Sequence, residues 1–180
     1  MFDAFATLQL PRQVNLSDED IRNAYRQAGK REHPDDGGNE ENFSLVSKAY
    51  QILLSPAMRL RHWLELHDVT GDSRGVVDGA LLDDFGKVGH CLQETDQLLR
   101  QHESCQSQLA KALLLPKIQH QREAIEALQT LLESRTQEKL SAFHEIHHLP
   151  TEQSWILVRD LTFLEKWQQQ LRDRYGKCFA

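Results

Sequence analysis

The chain has 180 residues, of which 39% are hydrophobic, 27% charged and 7% aromatic, a composition of globular proteins and not of collagenous, low-complexity or disordered ones. Lys+Arg 21 against Asp+Glu 27 leaves a formal net charge of -6, which argues against a nucleic-acid polyanion as the main partner. No run approaches the roughly 18 apolar residues of a spanning helix, and Met1-Phe2-Asp3 lacks the basic-then-apolar order of a secretory signal, so a cytoplasmic protein without membrane contact is expected.

Taken in chain order, the first expected element is a short helix before Pro11 carrying Phe5, Leu8 and Leu10. Ser17 followed by Asp18, Glu19 and Asp20 signals a second helix, because the hydroxyl accepts a first-turn N–H and the carboxylates meet the positive helix end. It places Ile21, Ala24, Tyr25 and Ala28 at the three-and-four spacing of a buried stripe and stops just before Pro34, which forces its predecessor out of the α region. Phe43, Val46, Ala49, Tyr50 and Leu53 repeat that spacing up to Ser55-Pro56, and Leu60, Trp63, Leu64 and Leu66 mark a helix from Ala57 to about His67. Every residue of His33-Pro34-Asp35-Asp36-Gly37-Gly38-Asn39 suits a turn or an exposed bend, so the two middle helices are expected as an antiparallel pair. Asp68 to Gly79, with Gly71 and Gly75 and no apolar period, reads as a linker between a first domain, 1–67, and a second, 80–180.

Downstream, Leu81, Leu82, Phe85, Val88, Leu92 and Leu99 form one stripe, interrupted by Gly86 and Gly89. Ile118, Ile125, Leu128, Leu132, Leu140, Phe143 and Ile146 form a second, with Pro116 at its start or at a kink. A third begins at Pro150-Thr151, carries Trp155, Val158, Leu161, Leu164, Leu171 and Tyr175, and closes at Gly176. With no strand-like alternation anywhere, the predicted fold is all-α: an antiparallel pair with flanking short helices, then a C-terminal three-helix bundle. Cys91, Cys105 and Cys178 form no C-x-x-C pair, leave one thiol over in any disulfide scheme and make no ligand constellation, so neither a metal nor a cofactor is expected.

The run Phe5 to Leu10, then Ile21-x-x-Ala24-Tyr25-Arg26, Lys30-Arg31-Glu32-His33-Pro34-Asp35 and Phe43-x-x-Val46-x-x-Ala49-Tyr50-x-x-Leu53-x-x-Pro56 follow one another in an order and spacing that resembles the J-domain family over residues 2 to 66. The resemblance implies a co-chaperone, not an enzyme in its own right, whose His33-Pro34-Asp35 loop and neighbouring basic helix dock on a DnaK-type chaperone and stimulate its ATP hydrolysis. Elementary chemistry agrees with such a role. Pro34 fixes the backbone between an imidazole and a carboxylate, Asp35 can pair with a guanidinium, and Arg22, Arg26 and Lys30, four apart, form with Arg31 a basic stripe able to steer an acidic surface. The same charges, acidic first and basic last, also suit the helix dipole. Tyr25 is expected in the core first, with its hydroxyl toward the loop. Asp36 stands where a basic residue is common in the family.

Ser55-Pro56-Ala57-Met58-Arg59 through Leu64-Glu65-Leu66-His67, and later Asp160-Leu161-Thr162-Phe163-Leu164-Glu165-Lys166, are similar to HscB-type co-chaperones of iron-sulfur cluster assembly. This implies an HscA-type chaperone partner and a second domain that holds the iron-sulfur cluster scaffold protein through an apolar patch, here Leu82 and Phe163 with Leu81 and Phe85. Asp83 and Gly86 stand where that family offers further apolar contacts, and spacing alone fits the four residues equally to bundle core. A general J-domain co-chaperone with another client is the alternative within this class. A rival from another class is a zinc metallopeptidase, since His144-Glu145-Ile146-His147-His148 contains H-E-x-x-H. Such a site needs a third ligand and a cleft, while Pro150 ends the helix at once and Glu152 follows too closely, so solvated histidines at a helix end are expected.

Overall fold

The computed structural model describes residues 2–32, 39–72 and 74–178. The His33-Pro34-Asp35 loop, with Asp36, Gly37 and Gly38, lies outside the described residues. The elements are α1 (Ala4–Thr7), α2 (Asp18–Glu32), α3 (Glu40–Leu54), α4 (Pro56–Leu66), α5 (Gly79–Ser104), α6 (Gln108–Ser141), a 3-10 segment (Ala142–His148) and α7 (Thr151–Lys177). The fold is all-α, with no strand among the described residues and no helix long and apolar enough to cross a membrane.

Helix starts follow local chemistry. The Ser17 hydroxyl accepts the Asp20 N–H at 3.1 Å and donates to the Asp20 carboxylate at 2.6 Å. Asn39 accepts from the Glu41 N–H, Ser55 from Met58 with Pro56 at the first helical position, and Asp78 from Ala80. Two helix ends are less orthodox. Gln9 and Asp68 both have φ 55°. At each, the next residue's N–H reaches back to the first carbonyl of the motif, Leu10 to Phe5 and Val69 to Leu64, while Gln9 bonds Ala6 and Asp68 bonds Glu65. These are Schellman ends whose left-handed position would favour glycine, and holding a side chain there costs about 1–2 kcal/mol.

The contacts divide the chain into two units, and the division is not the linear one that the sequence suggests. The first unit takes Met1–Val76 together with Lys139–Thr162, and the second takes Val77–Glu138 with Phe163–Ala180. In the first, α2 packs on α3, and α3 on α1 and α4. Its core holds Phe5, Ile21, Leu53, Leu60 and Leu64, and equally Phe143, Ile146, Trp155, Val158 and Leu161. Three of its polar groups are satisfied by partners distant in sequence or on a neighbouring element. The Ala4 N–H donates to His62 Nε2 at 3.1 Å, the Trp63 indole to the Arg12 carbonyl at 3.2 Å, and Arg59, over the Phe143 ring, to the Leu53 carbonyl at 2.9 Å. Much of the predicted linker is ordered within this unit. Val69 packs against the core, Arg159 donates to the Asp72 and Val76 carbonyls at 2.6 and 2.8 Å, and Gly71 lies so close to Trp155 that a Cβ there would come within 2.1 Å of the ring.

In the second unit the buried positions recur at alternating steps of three and four, Leu81, Asp84, Val88, Cys91 and Thr95 on α5 and Ile118, Gln121 and Ile125 on α6, with Leu132 seven residues further on. That is a seven-residue repeat, and its polar members find one another. The Gln121 amide donates to Thr95 Oγ1 at 2.9 Å and the Cys91 carbonyl at 3.0 Å, and Asp84, 1% exposed, is held by Lys87 and Arg135, each at 3.1 Å. Arg174 on α7 grips Asp96 on α5 with two bonds, and the guanidinium holds that carboxyl below its ordinary range. Two expectations need correction: α6 stops at Ser141, before Phe143 and Ile146, and Gly176 lies within the last turn of α7. Pro116 lies inside α6, which starts at Gln108, so of the two places expected for it the helix start is excluded; a proline removes one N–H without having to end a helix.

Candidate functional site

Two surfaces carry the residues that the sequence singles out. The first is α2. Arg22, Arg26, Lys30 and Arg31 are all exposed on it, and Ile21 and Ala28 anchor the opposite face in the core. Arg22 reaches Asp18 only at 3.8 Å with both side chains about 60% exposed, a pair worth little in water. Arg26 donates to Asn23 Oδ1 at 2.5 Å, and Arg31 to Gln9 Oε1 at 3.1 Å. Tyr25 is half-buried and stacks on Tyr50 with ring centroids 4.2 Å apart, so its ring braces α2 against α3. The helix thus offers an exposed cationic face on a support packed against α3, ending at Glu32, next to His33 in sequence.

The second surface is on α5 and α7. Leu82 is 61% exposed, Phe85 59% and Phe163 39%, whereas Leu81 is 1% exposed. Leu81 therefore belongs to the core of its unit and to no surface patch: one residue along a helix turns the side chain by about 100°. Phe85 and Phe163 approach the same ring, Trp167, at centroid distances of 6.0 and 5.7 Å. Trp167 is buried beneath both rings, and its sequence signal is the four-residue step from Phe163 along one helix face. The two exposed rings and Leu82 thus form an apolar ledge supported from beneath.

The H-E-x-x-H stretch is not on an α-helix. It lies in the 3-10 segment, where residues four apart point about 120° from each other instead of sharing a face, so His144 and His148 are not set as a chelating pair. Both are exposed, His147 meets the Trp63 ring edge-on at 4.9 Å, and no group of three His, Cys, Asp or Glu able to hold a metal occurs among the described residues. The three cysteines are free, and burial pushes the Cys91 and Cys178 thiols up, away from thiolate chemistry.

The family model of the DnaJ domain matches residues 3–62, a stretch that contains α1, α2, α3 and most of α4. Chaperone protein DnaJ of Rippkaea orientalis is 34% identical over 90 residues, 48% of this chain and 22% of that protein. A DnaJ protein homolog of Cucumis sativus is 38% identical over 58 residues, 32% of this chain and 13% of that protein. The chain therefore spans about a fifth or less of these relatives' length. Over nearly its whole length the fold is that of HscB: chaperone HscB from Vibrio cholerae superposes with a TM-score of 0.56 at 18% identity, covering 95% of this chain and 96% of that one. The human co-chaperone protein HscB gives 0.57 at 16% identity, covering 94% and 80%.

Proposed function

We propose that the protein is a J-domain co-chaperone that stimulates ATP hydrolysis by a DnaK/HscA-type chaperone and presents to it a client, the iron-sulfur cluster scaffold protein. The first activity rests on the exposed cations Arg22, Arg26, Lys30 and Arg31 leading along one helix to His33, Pro34 and Asp35. The second rests on one observation above the others: Leu82, Phe85 and Phe163, three large apolar side chains left in water on one unit and braced by Trp167. An apolar cluster kept exposed and rigid is the form of an interface hot spot. On this reading the effect on ATP is exerted through the partner.

Steady-state ATPase measurements with the chaperone test the first part. Asp35→Asn is expected to abolish stimulation with the far-ultraviolet circular dichroism unchanged; stimulation retained in full would count against the loop. Binding of the full chain to the scaffold protein tests the second. Leu82→Ser with Phe85→Ser is expected to weaken it at least about 30-fold, the equivalent of about 2 kcal/mol, without loss of helicity. An intact chain that stimulates the chaperone and ignores the scaffold is a co-chaperone for another client.

A further inference from the structure

We propose that the outer end of the α5–α6 hairpin docks on a second copy of this chain, so that α5 of each copy lies along α6 of the other. On α6, Leu109, Ala112, Leu113 and Pro116 lie three and four residues apart and are all exposed, while Ile118, Gln121 and Ile125 turn inward. Leu109 and Leu113 are each more than two-thirds in water. This face is turned away from Arg122 and Glu126, which meet Tyr175 of α7. Pro116 also borders a groove of about 450 Å³ between the two helices, where Leu98 of α5 adds apolar area, so stripe and groove form one surface.

The groove also holds a fixed polar atom. Gln121 is 8% exposed and donates its amide to Thr95 Oγ1 and to the Cys91 carbonyl. A carbonyl only accepts, so this bond sets which end of the amide is nitrogen and turns Oε1 the other way. That oxygen accepts no hydrogen bond among the described residues, and the side chain lines the groove. A nearly buried acceptor held in place without a donor calls for one from outside. Gln97 and Gln101, on the opposite wall, are the donors that a second copy of the same groove would bring.

Charge selects the occupant and fixes how it lies. From Ser104 to Arg122 the chain has no carboxylate, and Lys111 and Lys117 pair with none among the described residues. The facing stretch of α5, Glu94 to Glu103, has three carboxylates against the single cation Arg100. One helix of the hairpin end is thus cationic and the other anionic, a surface complementary to itself. An anionic membrane would suit α6 and be repelled by α5. A twofold axis parallel to the helices sets α5 of each copy on α6 of the other, with every neighbouring pair antiparallel as in a four-helix bundle. An axis across them would lay α5 on α5 and α6 on α6, like charge on like. Gln121, bonded to Cys91 and Thr95, fixes the register: at about 1.5 Å per residue, Lys111 stands level with Glu103. An axis along the helices preserves levels, so Lys111 of each copy meets Glu103 of the other. The dimer brings two cationic faces of α2 and two apolar ledges into one particle.

The test is the mass of the full chain in solution, by light scattering on a sizing column across roughly 1–200 μM. Twice the 20.8 kDa of one chain is expected at the upper end. Leu109→Glu with Leu113→Glu is expected to give the mass of a single chain with circular dichroism unchanged. Lys111→Glu with Lys117→Glu is expected to weaken association at least tenfold, and adding Glu94→Lys and Glu103→Lys, which exchanges the two signs, to restore it. Leu82→Ser with Phe85→Ser, which removes the apolar ledge, is expected to leave the dimer intact. The proposal is overturned if the wild type has the mass of one chain throughout, if the leucine variant remains a dimer, if the full charge exchange does not restore association, or if loss of the ledge abolishes it.

Discussion

His62 ties the start of the chain to α4 by accepting the Ala4 N–H on Nε2, with its ring stacked on Phe5 at 6.0 Å. To accept, that nitrogen must be unprotonated. Burial pushes the imidazole below its ordinary value of 6.5 and outweighs the Asp3 carboxylate nearby. The unfolded chain therefore takes up the proton first as pH falls, and stability drops from about pH 6.5 downward, levelling off below the folded-state value. Urea unfolding at pH 7.5 and 5.5 checks this: the wild type should lose more on acidification than His62→Gln, which keeps an acceptor and does not titrate. Equal losses would show that the ring is not linked to folding. Leu81 and Leu82 teach a related lesson about what a sequence discloses. Both lie on the same hydrophobic stripe, and periodicity alone did not tell which of two adjacent leucines turns inward; Trp167 and the rest of its cluster decide that.

Helix starts were legible because they depend on near neighbours, as at Ser17 and Ser55 with the N–H three residues on. The order of residues 69–76 was not, because it depends on Trp155 and Arg159, far along the chain. The same distinction separates two glycines. At Gly89, inside α5, an added Cβ meets open space, so Gly89→Ala should stabilise by about 1 kcal/mol through helix propensity. At Gly71 the Cβ would collide with Trp155, and Gly71→Ala should destabilise by about 1–3 kcal/mol. Chemical denaturation of the two variants reads both signs, and two shifts in one direction would contradict the packing described for Trp155. The H-E-x-x-H motif failed at this scale too: its spacing is chemical only on an α-helix, and Phe143 and Ile146, buried three apart, suit the tighter 3-10 turn.

At the scale of the molecule, the J-domain sequence is contiguous and its core is not. Phe143, Ile146, Trp155, Leu157, Val158 and Leu161 are buried in the same cluster as Phe5, Leu60 and Trp63. A fragment ending at Val76 would leave that cluster short of these partners. It should melt well below the first transition of the full chain and bind a hydrophobic dye; a fragment as stable as the parent would refute the shared core. The order of synthesis adds a consequence. At about 5–20 residues per second, a ribosome needs several seconds to pass from Val76 to Thr162. Throughout that interval the nascent amino-terminal helices lack the segment that completes their core, so their apolar faces stay open to water until Thr162 has been made.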